Sequence, residues 1–169
     1  GALEGVKVLD LTHHIAGPWC TKLLADYGAE VIKVEPPGKG DPLRGWRVLD
    51  EKGTSLWWPS IARNKKSVTL DLRQPEARDL ARRLADGADV LIENFKVGGL
   101  KRYGLDYTSL KELNPKLIYC SITGFGQESP YAHRAGYDFM IQAMGGLMSI
   151  TGQPNGAPGA EPMKVGVAV

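Results

Sequence analysis

The sequence predicts an α/β fold, a doubly wound, Rossmann-like parallel sheet with helices on both faces. Two observations predict it. Short aliphatic and β-branched runs alternate with segments of helical period, and the first two runs are separated by a single helix, as in a βαβ unit. Glycine and proline, 21 and 11 of 169 residues, punctuate nearly every junction between them.

Val6–Leu11 (VKVLDL) is short, apolar and bounded by polar residues, so it reads as a buried strand. Gly17 and Pro18 open the first helix, with proline in the first turn, where its missing N–H costs nothing. Cys20, Leu23, Leu24 and Tyr27, spaced i, i+3, i+4, i+7, predict its apolar face, and Gly28 ends it. Val31–Glu35 (VIKVE) is the second strand, which implies parallel pairing through a right-handed crossover. Pro36–Pro59 has no clean period and reads as a long loop. Ser67–Leu72 alternates as a strand, and Pro75 starts a helix with Ala77, Leu80, Ala81 and Leu84 on one face. Asp89–Glu93 is a strand, Thr108–Leu113 a short helix stopped by Asn114-Pro115, and Leu117–Ile122 another strand. Asp138–Met148 offers a helical face through Met140, Ala143, Met144 and Leu147, and Gly152–Gly159 is a Gly/Pro loop. Met163–Val169 is an apolar run that stops without a cap, so a longer protein is expected, of which residues 1–169 are the N-terminal part of the large domain.

Composition narrows the chemistry. With 43% apolar and 24% charged residues the chain is an ordinary globular one, not a disordered tail. A net charge of +2 is too balanced for a nucleic acid partner, and no apolar run is long enough to cross a bilayer. Cys20 and Cys120 lie a hundred residues apart, outside any CxxC or Cys/His spacing, so neither a disulfide scaffold nor a metal site is expected and a reducing, cytoplasmic compartment is. An open α/β sheet binds ligands at the carboxyl ends of its strands, here Thr12–Gly17, Glu35–Gly40, Arg73, Glu93–Lys96 and Thr123–Gln127. Glu35 stands where a dinucleotide fold keeps its ribose-binding acid, but the first turn, THHIAGP, lacks GxGxxG, which argues against a nicotinamide dinucleotide. Three basic groups fit another anion, with aromatic residues among them: Lys39, Arg44 and Arg47; Arg63, Lys65 and Lys66; and Lys96, Lys101 and Arg102. With Trp46, Trp57, Trp58 and Phe95 they form a set able to hold phosphates beside a stacked base. Of His13 and His14, only one can face the cleft. Ser121, Ser129 and Ser149 lack a nucleophile elbow, so a serine hydrolase is unsupported.

Four stretches in order resemble one family: LEGVKVLDLTHHIAGPWCTKLLADYGAEVIKVEPPGKGDPLR, RNKKSVTLDLR, DVLIENFKVGGLKRYGLDY and NPKLIYCSITGFGQESPYAHRAGYDFMIQAMGGLMSITG. They are similar to the class III CoA-transferases of the formyl-CoA and carnitine type, related to the α-methylacyl-CoA racemases. The resemblance implies an enzyme with a coenzyme A-binding domain in an interlocked homodimer, acting on an acyl-CoA and a small carboxylic acid, with no permanently bound cofactor. The matching CoA-contact positions are His13 and Ala16, then Leu70, Asp71, Leu72 and Arg73, then Asn94, Phe95 and Lys96, then Arg102, and finally Arg134, Ala135, Gly136 and Tyr137. Ile15 and Pro36 replace a glutamine and an arginine of the formyl-CoA members, which speaks against formate or oxalate. The family's nucleophilic aspartate is expected two residues beyond Val169, so residues 1–169 alone are expected to be inactive. Racemases carry a histidine where this chain has Tyr137, whose ordinary pKa near 10 makes a poor base, so transfer is favoured over racemisation. An inactive CoA-binding fragment that needs a partner chain is the remaining alternative.

Overall fold

The computed structural model describes residues 1–166, in two units, 1–122 and 123–166. In the first unit, β1 (Lys7–Asp10), β2 (Glu30–Glu35), β3 (Lys65–Thr69), β4 (Val90–Glu93) and β5 (Ile118–Ser121) form one sheet in the order β3-β2-β1-β4-β5. All four pairings are parallel, with Leu9 opposite Ile32 on one side and Leu91 on the other. The order reverses at β1, between β2 and β4, which is where a doubly wound sheet opens a crevice. Helices α1 (Ala16–Asp26), α2 (Trp58–Ile61), α3 (Pro75–Asp86) and α4 (Tyr107–Leu113) complete the unit.

Strand alternation sorts the core into two layers. Val8, Val31 and Ile92 pack against α1 through Ala25, while Leu9, Val34 and Leu91 pack against α3 and α4 through Ala81, Ala85 and Leu110. Helices therefore cover both faces, as expected. The face of α1 is only in part the expected one: Cys20 and Leu24 pack against the core, but Leu23 and Tyr27 are exposed, and the fully buried residues are Gly17, Pro18, Thr21 and Ala25. The helix lies so close to the strand end that a Cβ at Gly17 would stand 2.2 Å from the Thr12 side chain, so small residues rather than leucines make the contact.

β3 begins two residues earlier than expected, because Lys65 and Lys66 pair with Val31 and Ile32. Leu70–Arg73 consequently lie past the strand, at its carboxyl end. The long loop contains a 3-10 turn at Pro42–Gly45 as well as α2. In the second unit, α5 (Asp138–Met144) is shorter than expected and is followed by a 3-10 turn at Leu147–Ile150. The expected methionine face is exposed at Met140 and Met144, and the buried residue is Gln142. Its amide donates to Asp138 Oδ2 (3.0 Å) and its carbonyl oxygen accepts the Val165 N–H (2.8 Å), a polar clamp that hydrophobic period does not reveal. The last three residues of the apolar run Met163–Val169 lie outside the described residues.

Candidate functional site

The first turn, Thr12–Ile15, replaces the glycine-rich turn of a dinucleotide site and is fixed from below by charge. Asp10, fully buried at the end of β1, accepts the Thr12 N–H (2.9 Å) and the hydroxyls of Thr12 (2.5 Å) and Thr21 (2.6 Å). Lys65 Nζ donates at 3.1 Å to Asp10 Oδ2, the oxygen that also accepts from Thr21, and donates to Pro18 O as well. Lys33, equally buried, donates to the Thr12 carbonyl (2.6 Å) and lies 2.9 Å from Asp41 Oδ2, an ion pair without the alignment of a hydrogen bond. Burial alone would raise the Asp10 carboxyl; Lys33, Lys65 and the two hydroxyls outweigh it and hold the group below its ordinary range. Asp41 Oδ1 accepts the His14 N–H (3.0 Å), which holds that residue at a left-handed φ of 71° with its ring against Trp46.

His13 points the other way. Its backbone exchanges two hydrogen bonds with the Asn94 side chain, N–H to Oδ1 at 2.9 Å and Nδ2 to the carbonyl at 2.8 Å, and its ring meets Phe95 edge-on at 5.8 Å. Burial, and then the nearby Lys33, push the imidazole below its ordinary pKa, so it is neutral at pH 7. Phe95 is held in turn by Glu93, whose Oε2 accepts its N–H at 2.7 Å while Oε1 accepts the Ser121 hydroxyl.

A cavity of about 230 Å³ opens at this edge of the sheet. His13, Phe95, Tyr103 and the run Leu70 to Arg73 line it. Leu11, Val34, Glu35 and Pro36 complete its lining. The cavity is therefore mainly apolar, with Arg73 at its border held by Asp71 through two hydrogen bonds (2.8 and 2.9 Å). That contact brings the half-buried Asp71 carboxyl down to about 2. Arg102 is exposed and stacks on Tyr103 at 4.6 Å, with Arg78 over the same ring at 5.9 Å.

The structure thus brings His13, Leu70, Asp71, Leu72, Arg73 and Phe95 to one cavity, with Asn94 as the clamp behind them. Ala16 is exposed at the start of α1 and Lys96 is exposed past Phe95; neither lines it. Arg134, Ala135, Gly136 and Tyr137 belong to the second unit, where Gly136 lies so close to Gly124 that a Cβ there would stand 2.4 Å from its Cα. Tyr137 is 73% exposed. Tyr103 was missed, because it sits on a 3-10 turn rather than at a strand end; only its position beside Arg102 marked it. One of the three basic groups is corrected in part. Lys65 is buried on Asp10 and is not available to a phosphate, whereas Arg44, bound to Glu35 and stacked on Trp58 at 3.8 Å, stays partly exposed. No group of three His, Cys, Asp or Glu side chains among the described residues has the arrangement of a metal site, and no helix among them is long and apolar enough to cross a membrane.

Comparison with known proteins adds a family to this geometry. A family model described as CoA-transferase family III matches residues 3–169. The chain is 54% identical over 173 residues to a succinate–glutarate CoA-transferase of Agrobacterium fabrum, covering 99% of this chain and 42% of the relative. It is 50% identical over 167 residues to a succinyl-CoA–D-citramalate CoA-transferase of Chloroflexus aurantiacus, covering 99% of this chain and 40% of that one. Among solved structures, a CaiB/BaiF family protein from Brucella suis superposes with a TM-score of 0.89 at 54% identity, over 98% of this chain and 44% of that chain. The chain spans about two fifths of the length of the curated relatives it matches.

Proposed function

The chain belongs to CoA-transferase family III, and from that premise we propose that the protein carrying it moves CoA from an acyl-CoA to a small dicarboxylate. The observation that carries this reading is the cavity at the carboxyl edge of the sheet. Its leucine and aromatic walls suit a base, and Arg73, with Arg102 beside Tyr103, suits phosphates. The CoA contacts we propose are the fourteen positions from His13 to Tyr137 given by the resemblance. A neutral His13 suits a hydrogen bond to an uncharged part of the ligand better than a phosphate ion pair.

In the proposed transfer an aspartate carboxylate beyond residue 169 attacks the thioester carbonyl, forming a mixed anhydride and releasing CoA thiolate. The thiolate attacks the aspartyl carbonyl, expelling the donor acid as its carboxylate and leaving an aspartyl thioester. The acceptor carboxylate attacks that thioester, again giving an anhydride and CoA thiolate. Attack of the thiolate on the acceptor's carbonyl yields the new acyl-CoA and restores the aspartate. Each step exchanges one acyl bond for another, so neither metal nor redox cofactor is required. The same reading includes an interlocked homodimer, and the free thiols Cys20 and Cys120 support a reducing, cytoplasmic setting.

The test incubates the complete protein with succinyl-CoA and a panel of acceptors that includes glutarate and citramalate. New acyl-CoA by chromatography, with a hydroxylamine-labile CoA adduct by intact mass, is the expected result. Exchange of the α-proton with solvent in place of transfer would assign the racemase instead, and CoA binding without either reaction would assign a binding protein.

A further inference from the structure

Glu35 ends β2, where a doubly wound fold keeps the acid that holds a free ribose diol, and it lines the cavity. In this chain that carboxylate has no capacity left for a diol. Arg44 Nε donates to Oε2 at 2.7 Å and Nη2 to Oε1 at 2.8 Å; the Asp41 N–H fills a second place on Oε2 at 2.8 Å and the Ser67 hydroxyl a second on Oε1 at 2.7 Å. Four donors on two oxygens is the full complement of a carboxylate. Arg44 in turn stacks on Trp58 at 3.8 Å and is 39% exposed, and its Nη1 makes no hydrogen bond among the described residues.

We propose that Arg44 is a specificity-determining residue that turns a diol-binding edge into one that accepts a phosphorylated ribose. It neutralises Glu35, one of two carboxylates on the cavity, the other being Asp71, which Arg73 holds, and it leaves Nη1 of a fixed guanidinium without a hydrogen bond among the described residues. Arginine near this acid is the device by which the same fold accommodates a ribose phosphate in other nucleotides. The inference rests on the CoA reading above, and it assigns to Arg44 the distinction between CoA and its analogue lacking the ribose 3′-phosphate.

The experiment measures equilibrium binding of CoA and 3′-dephospho-CoA to the complete protein, to Arg44→Met and to Arg44→Lys. The unaltered protein is expected to prefer CoA. Arg44→Met is expected to lose about tenfold of that preference, the scale of one charged hydrogen bond, by weakening CoA and sparing dephospho-CoA. Arg44→Lys, which keeps the charge but loses the fork, is expected to fall between them. An unchanged ratio in Arg44→Met would overturn the assignment, as would equal loss of both nucleotides, which marks a purely structural ion pair. If the unaltered protein binds neither nucleotide, the CoA reading itself is at fault.

Discussion

The two faces of the sheet are built by different physics. Under α1, the β1–β2–β3 half buries Asp10, Lys33 and Lys65, with Asp41 joining them from the loop. On the α3/α4 face the strands bury leucine and valine, against alanines of α3, until Glu93, a carboxylate with hydrogen bonds but no ion pair among the described residues. Burial therefore decides the two carboxylates oppositely: Asp10 is held low by its lysines, whereas Glu93 is pushed up because desolvation outweighs the Ser121 and Phe95 bonds. The lesson is one of division of labour. The charged face buys little stability relative to an apolar one, but it fixes one geometry for the first turn, and that turn sets His13 against the cavity.

The largest effect expected from this contrast is at Lys65. Lys65→Met leaves Asp10 buried without its hydrogen-bonded cation, and unfolding by denaturant should show a loss of about 3–5 kcal/mol. Adding Asp10→Asn should return much of it; a single variant that costs less than about 1 kcal/mol would break the comparison.

Glu35 comes next. Burial would raise its carboxyl, but Arg44, Ser67 and the Asp41 N–H bring it down to about 2. A folded pKa below the unfolded one stabilises above about 4.5 and ceases to as pH falls toward 2. Because Arg44 is more than a third exposed, solvent screening trims the effect, and Glu35→Gln should cost about 2 kcal/mol at pH 7 and little near pH 2. Melting curves across that window check it.

Arg102 tests the other half of the contrast, since it is exposed and stacks on a cavity wall. Arg102→Ala should weaken CoA about tenfold while leaving the unfolding midpoint in place. Unchanged affinity would remove it from the proposed contacts.

The smallest effect is at Glu93, and its sign is opposite to that at Glu35. A folded pKa above the unfolded one means that ionisation costs stability as pH rises through the folded value. Glu93→Gln, which can still accept from the Phe95 N–H, should therefore raise stability at pH 8 by up to about 1 kcal/mol and leave it unchanged at pH 4. A loss of stability at pH 8 would show that the carboxylate is more favourably held than its lack of a cation implies.

The inner strands of the sheet were legible in the residues, because a strand buried on both sides leaves a short aliphatic run whatever packs on it, whereas the edge strand β3 starts on two lysines that carry no such signal. Helices α1, α3 and α4 were legible in position, through Pro18, Pro75 and Asn114-Pro115, and only in part in orientation, while α2 begins inside the stretch that reads as a loop. On α1 the buried stripe is Gly17, Pro18, Thr21 and Ala25, since close approach to Thr12 selects small residues over the leucines that period alone selects. In the site, strand ends pointed to His13, Leu70–Arg73 and Phe95, which one cavity gathers; Tyr103 left no such mark.

What the sequence determined by itself is therefore the alternation of strands and helices, the loss of the glycine-rich phosphate turn, and a set of family motifs in order. What only the tertiary structure decided is which charges meet. Lys33 and Lys65 look like any surface lysines in a string of residues, and Glu35 looks like a ribose acid. Partners in other elements, Asp41 for Lys33 and Arg44 for Glu35 from the loop after β2 and Asp10 for Lys65 from 55 residues away, take up those charges. Ion pairing acts over a few ångströms in space and carries no periodic signal along the chain, so the fold has to form before these pairings exist.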